Sequence, residues 1–188
     1  MLLTATCSQI IAQKIMTSLN RFDFNIIRNS SLHRPEIVLG VIPKPSKLEK
    51  LFEKICESLD TITSDRIIIY SATVAHCNEL ATYLASRYGT SIIGKYHGSL
   101  DDITKNVNLN VWKNGFVRIM CATNAFGMGI NVANIWLVIY TTFSMSLDNF
   151  VQEIGCAARD GEESKSILFF SRADIRNLLY ILTGGRTK

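Results

Sequence analysis

Apolar and polar positions first alternate at helical spacing along the chain, then settle into short apolar runs separated by helical stretches. Ile10, Ile11, Ile15 and Leu19 follow Thr6 and Gln9, whose separation is that of a capping box, and predict a helix over roughly 7–19. A polar stretch from Asn25 to Arg34 ends at Pro35, which favours extended backbone ahead of Ile37-Val38-Leu39-Gly40-Val41-Ile42. Pro43-Lys44-Pro45-Ser46 closes that strand and opens a helix over about 46–59, with Leu48, Leu51, Phe52 and Ile55 on one side. The run Ile67-Ile68-Ile69-Tyr70 is continuously apolar, as in strands covered on both faces of a parallel sheet. Cys77, Leu80, Ala81 and Leu84 then repeat at helical spacing up to Gly89, a helix stop.

Further strands are predicted at 91–96, 117–122, 135–140 and 166–170, with helices at about 101–113, 146–158 and 172–182. Strand alternating with helix implies right-handed crossovers and an α/β fold with a parallel sheet and helices on both faces. Ligands of such sheets bind beyond the carboxyl ends of the strands. The loops after Tyr70, Tyr96, Ala122, Tyr140 and Phe170 are therefore the informative ones.

Composition narrows the class. At 188 residues and 47% apolar, the chain has the length of one domain and a fraction of another, and its 19% charged content excludes disorder. No apolar run approaches the ~18 residues of a membrane span, and the opening Met1-Leu2-Leu3 is too short for a secretory signal. This reads as a soluble intracellular domain without a membrane partner. Lys and Arg number 20 against 16 Asp and Glu, a balance that permits nucleic-acid binding without demanding it. Five scattered cysteines without a C-x-x-C pair argue against a zinc site and against a disulfide framework.

Three segments invite chemistry. Gly89-Thr-Ser-Ile-Ile-Gly94-Lys95 has P-loop spacing, but Tyr96 stands where a Mg²⁺-holding Ser or Thr belongs, and the segment follows a helix instead of a strand. It is read as a decoy. Ala122 to Asn131 carries Gly127 and Gly129 directly after a strand, where backbone N–H groups can approach phosphate oxygens and Thr123 can add a hydroxyl. On its own that pattern is equally an ordinary turn. In Gln152 to Gly161, the helical spacing of Gln152, Cys156 and Arg159 places them on one face, with Leu147, Phe150, Val151 and Ile154 on the buried one. Arg159 there serves either the helix dipole or an anion.

The order of these pieces resembles the second RecA-like lobe of RecQ-family DNA helicases. The chain shows Ile68-Ile69-Tyr70, then Tyr96-His97-Gly98-Ser99-Leu100, then Ala122-Thr123-Asn124-Ala125-Phe126-Gly127-Met128-Gly129-Ile130-Asn131, then the Gln152 to Gly161 segment. Leu3-Thr4-Ala5-Thr6 resembles the element that closes the family's first lobe, so residues 1–60 are expected to be the tail of that lobe and a connector, and 61–188 the second lobe. The resemblance implies an ATP-dependent 3′→5′ DNA helicase, a hydrolase and isomerase of DNA repair and recombination, nuclear if eukaryotic. It further implies Arg159 as the arginine finger, and Gln152, Gly127, Gly129, Asn131 and Asp160 as the ATP-facing set. Single- and double-stranded DNA and the first lobe are the implied partners, with Ser71, Thr73, His97 and Thr123 on the nucleic-acid track. Mg²⁺ would be held by the first lobe, whose Walker motifs this chain lacks, so the chain alone is expected to be inactive.

Departures from the family pattern qualify this. Cys156 stands where the family has the first arginine of G-R-A-G-R-D-G, Ala158 where it has the second glycine, Val74 where it has a basic residue and Tyr140 where it has histidine. On helical spacing an arginine at 156 would point into the ATP cleft, so Cys156→Arg is expected to raise hydrolysis once the first lobe is present. Two rival expectations are a degenerate lobe that binds nucleic acid or a partner without coupling to ATP, and a different superfamily-2 helicase such as an RNA helicase, against which the run Ala125-Phe126-Gly127-Met128-Gly129-Ile130-Asn131 speaks.

Overall fold

The computed structural model describes residues 9–27, 34–62, 66–126, 132, 134–144, 147–158 and 161–176. It divides into two units, residues 1–35 and residues 36–188. In the first, the predicted helix is α1, Gln9–Ser18; none of its residues is buried, and the capping Thr6 lies outside the described residues.

The second unit is built on one six-stranded sheet. In chain order its strands are β1 (Ile37–Pro43), β2 (Arg66–Tyr70), β3 (Ile93–Tyr96), β4 (Ile119–Ala122), β5 (Ile135–Tyr140) and β6 (Ser164–Phe170). All pairings are parallel, and the spatial order is β1-β6-β5-β2-β4-β3. The strand and helix at 37–59, assigned from sequence to the connector, belong to this sheet's unit because Ile37 through Pro43 pair with Ser164 through Phe170. The helices are α2 (Leu48–Leu59), α3 (Val74–Tyr88), α4 (Asp102–Lys113) and α5 (Leu147–Ile154).

Alternate strand residues enter two separate cores. Ile67, Ile69, Cys121, Ile139 and Phe169 pack with α2 and α3, whereas Ile68, Tyr70, Met120, Val138 and Tyr140 pack with Trp112 of α4 and Phe150 and Ile154 of α5. The continuous apolar strands are thus explained, since each side of the sheet has its own helical cover. Local chemistry sets the helix starts. Thr73 Oγ1 accepts from His76 N–H at 3.2 Å, and Asp101 accepts from Thr104 N–H at 2.8 Å.

Two boundaries differ from the sequence reading. Thr90–Ile92 winds into a 3₁₀ turn, so β3 begins only at Ile93. The last helix ends at Ile154 instead of 158. There the N–H groups of Cys156 and Ala157 donate to the carbonyls three residues back, Glu153 at 3.2 Å and Ile154 at 2.9 Å, which tightens the turn, and Ala158 takes a positive φ of 52°. Of the helix predicted over 172–182, residues 172–176 are helical and the rest lies outside the described residues.

Candidate functional site

One residue follows each of four adjacent strands at the carboxyl edge: His97 after β3, Thr123 after β4, Ser71 after β2 and Thr141 after β5. The strands run level there, because Tyr70 pairs with both Ala122 and Tyr140, and Tyr96 pairs with Ala122. Backbone bonds carry the ladder one residue further: Thr123 N–H to Tyr96 O at 3.1 Å, Ser71 N–H to Ala122 O at 2.8 Å, and Thr141 N–H to Tyr70 O at 3.0 Å. The four side chains therefore stand in a row at the strand spacing of about 4.8 Å.

The row is buried and polar. Among the described residues, Ser71 Oγ, both ring nitrogens of His97 and Thr141 Oγ1 have no hydrogen-bond partner. Buried polar atoms are normally paired, so an edge with several unmet donors and acceptors can take a polar ligand. Burial, with help from the Lys95 and Lys105 charges, pushes the His97 imidazole below its ordinary value. Sequence reasoning named Ser71, His97 and Thr123, and the structure brings all three together. It missed Thr141, although the rule that selected the loop after Tyr140 pointed to that position. Thr73 is exposed and outside the row, its oxygen engaged as the cap of α3.

Aromatic packing fixes the approach to the glycine loop. Phe126 lies 4.9 Å from Tyr96 and 5.3 Å from Trp112, ring to ring, and its carbonyl accepts from Tyr70 Oη at 3.1 Å. Tyr70 in turn stacks on Tyr140 at 5.3 Å. The chain therefore leaves the sheet at a fixed point before Gly127. Gly127, Gly129 and Asn131 themselves lie outside the described residues, as do Arg159 and Asp160.

Of the ATP-facing set, only Gln152 is described, and its side chain is exposed on α5. Its neighbour Glu153 is buried; Ser144 Oγ donates to its carboxylate, and burial pushes that carboxyl above its ordinary value. The equal-face reading of Gln152 and Cys156 does not hold. Cys156 follows the end of the helix, is 1% exposed, and sits in the core with Tyr70 and Tyr140, its Sγ 3.7 Å from Gln152 O. The Gly89–Lys95 segment runs from the end of α3 through a 3₁₀ turn into β3, the reverse of a phosphate-binding loop. Among the described residues, no three His, Cys, Asp or Glu side chains gather as a metal site.

Comparison with known proteins fits this architecture. Residues 46–161 match the family of the helicase conserved C-terminal domain. The chain is 32% identical over 93% of its length to the ATP-dependent DNA helicase hus2/rqh1 of Schizosaccharomyces pombe. It is 30% identical over 92% of its length to the ATP-dependent DNA helicase Q1 of Pongo abelii, and 30% identical over 95% to the RecQ-like DNA helicase BLM of Xenopus laevis. It spans only 13%, 26% and 13% of those relatives. Among solved structures, Saccharomyces cerevisiae Dbp5 bound to RNA and ADP BeF3 superposes with a TM-score of 0.78 at 18% identity, over 97% of this chain and 47% of that one. Domain 2 of the DEAD-box helicase Mss116p, bound to an RNA duplex, gives 0.62 at 21% identity over 76% of this chain and 57% of that one. A parallel RecA-like sheet, the helicase domain match and relatives that are RecQ-type DNA helicases together make this chain a member of the helicase conserved C-terminal domain family.

Proposed function

We propose that this chain is the second lobe of an ATP-dependent 3′→5′ DNA helicase of RecQ type. It supplies part of the single-stranded DNA track and the arginine-finger side of a nucleotide cleft that a first lobe completes. The observation that carries this reading is the buried row His97, Thr123, Ser71 and Thr141 at the edge where a parallel sheet binds ligands, in which polar atoms of His97, Ser71 and Thr141 have no hydrogen-bond partner among the described residues. Hydroxyls and an imidazole suit the phosphodiester backbone and are indifferent to base sequence. In the assembled cleft, Gln152 would orient the nucleotide from α5, and Arg159 would bring a guanidinium to the transferring phosphoryl group. ATP and the Mg²⁺ held by the first lobe would supply the hydrolytic chemistry.

The 188 residues contain no phosphate-binding loop except the Gly89–Tyr96 decoy, so the chain alone should show no ATP turnover with or without single-stranded DNA. Joined to a first lobe with its Walker motifs, it should show DNA-stimulated turnover, and Arg159→Ala should lower kcat by about a thousandfold or more. Turnover by the lone chain that disappears in Lys95→Ala would overturn the decoy assignment. A second reading, a lobe that grips nucleic acid without coupling to ATP, is favoured by one observation: Cys156 buries a small neutral side chain where the family pattern has a cation. It predicts a joined protein that binds DNA while Arg159→Ala leaves its turnover unchanged.

A further inference from the structure

The two ends of the sheet are built differently. At one end β3 is four residues long and carries the exposed Lys95, whose carbonyl accepts from Asn108 Nδ2 of α4 at 2.8 Å. At the other end β1 runs seven residues, Ile37 to Pro43, without a charge, and pairs with β6 without a break in register. Its Val38, Leu39 and Val41 are 46%, 58% and 68% exposed. Ser164 N–H donates to Glu36 O and Lys44 N–H to Phe170 O, so the backbone groups of the even-numbered residues face β6. Those of Ile37, Leu39 and Val41, with the carbonyl of Pro43, face outward, and among the described residues no strand pairs with them. Exposed edges are ordinarily blunted by charges, bulges, prolines or a cover. In β1 the one such device is Pro43, at its last position.

An added strand satisfies such an edge, and β1 is complementary to itself. Set antiparallel about a two-fold axis at Gly40, Leu39 faces the second copy's Val41, Val38 faces its Ile42 and Ile37 faces its Pro43. Leu39 and Val41 are the outward-facing residues, so in this register each exchanges both backbone hydrogen bonds with the other copy. Apolar cross-strand pairs then form on both faces. Glu36 precedes the strand and Lys44, which also holds Asp174 at 2.7 Å, follows it. The antiparallel register sets these opposite charges across from each other, where a parallel one would set like against like. We propose that the chain forms a two-fold dimer by antiparallel pairing of β1 with β1 of a second copy, which joins the two sheets into one. The joint lies at the far end of the sheet from β3, so it leaves the row from His97 to Thr141 clear and does not depend on the nucleic-acid reading of that row.

Sedimentation equilibrium of the 188-residue chain over a concentration series tests it. The wild type should show a monomer–dimer equilibrium, and Val41→Lys should raise its dissociation constant about tenfold or more, because it places a charge on the pairing edge. Cross-linking reads the register. The two Gly40 Cα atoms would lie about 4.5 Å apart, within the span of a disulfide. A Cβ at Gly40 meets only Ser166 O, at 3.9 Å, so a cysteine fits there. In a Cys7→Ser background under oxidised glutathione, Gly40→Cys should give a covalent dimer. Val38→Cys should not, since its two copies would stand more than about 13 Å apart. A chain that stays monomeric throughout, its edge covered by a segment of its own or by nothing, would overturn the proposal. So would a dimer that Val41→Lys leaves intact, or cross-linking through Val38→Cys in place of Gly40→Cys. If the Gly40→Cys protein does not fold, Val41→Lys, at an exposed position, decides alone.

Discussion

Cys156 shows how much one side chain depends on the last turn of the helix before it. Gly155 leaves the helix with its N–H on Val151 O at 3.0 Å, and the bonds from Cys156 and Ala157 reach only three residues back. That tightening rotates position 156 inward, into the core that holds Tyr70 and Tyr140. By the resemblance to the family motif, cysteine stands where that pattern has a cation. Its direction was not legible, because helical spacing extrapolated past Ile154 puts 156 on the face of Gln152. Cys156→Arg therefore should not restore a cleft cation. It should bury a guanidinium against two aromatic rings and destabilise the fold by about 3 kcal/mol or more. Thermal unfolding of this chain checks it, and an unchanged or raised Tm would return the arginine to the cleft side.

At the scale of elements, the apolar strands were legible because both faces of a covered parallel strand repel water. Where helix meets strand the signal fades, and β3 shows why. The residues Thr90–Ile92 are strand-like in composition yet wind into a 3₁₀ turn after Gly89, whose φ of 92° redirects the chain. One position inside β3 is fixed by close packing. A Cβ on Gly94 would come within 2.9 Å of Val117 Cγ1 and 3.0 Å of Met120 Cε. Both neighbours belong to the core under β3 and β4. Gly94→Val should accordingly cost about 1–3 kcal/mol by overpacking, measured by denaturant unfolding. Since β3 delivers His97 to the edge, the same variant should also weaken oligonucleotide binding. A variant with native stability would show that the space between β3 and Met120 adapts.

For the molecule as a whole, strand and helix alternation made the parallel sheet and its carboxyl edge readable, but not the strand order. Nothing in the pattern of Ile37–Ile42 announces that it pairs with β6 at the far end of the chain. An ion pair seals that closure. Lys44 Nζ meets Asp174 Oδ1 at 2.7 Å, and Asp174 Oδ2 accepts from Ser171 N–H at 2.7 Å and from Ser171 Oγ at 2.9 Å. Burial raises the Asp174 carboxyl, yet these bonds outweigh it and hold the group below its usual range. Asp174→Ala strands Lys44 at a half-buried site and should cost about 3 kcal/mol at neutral pH. In the wild type that contribution is present above the ordinary aspartate range and fades as pH falls below about 4. A pH series of urea midpoints for both proteins reads it as a gap that narrows in acid; a gap constant with pH would mean the carboxylate contributes by shape alone.

The same closure governs how the protein is made. Lys44 and Asp174 are 130 residues apart, and among the described residues β1 has no neighbour in the sheet except β6. A nascent chain leaving the ribosome must therefore hold Val38, Leu39 and Val41 unpaired while β2 to β5 assemble, until nearly the whole sheet has been translated. During synthesis, that edge is where a chaperone or another nascent chain can bind first.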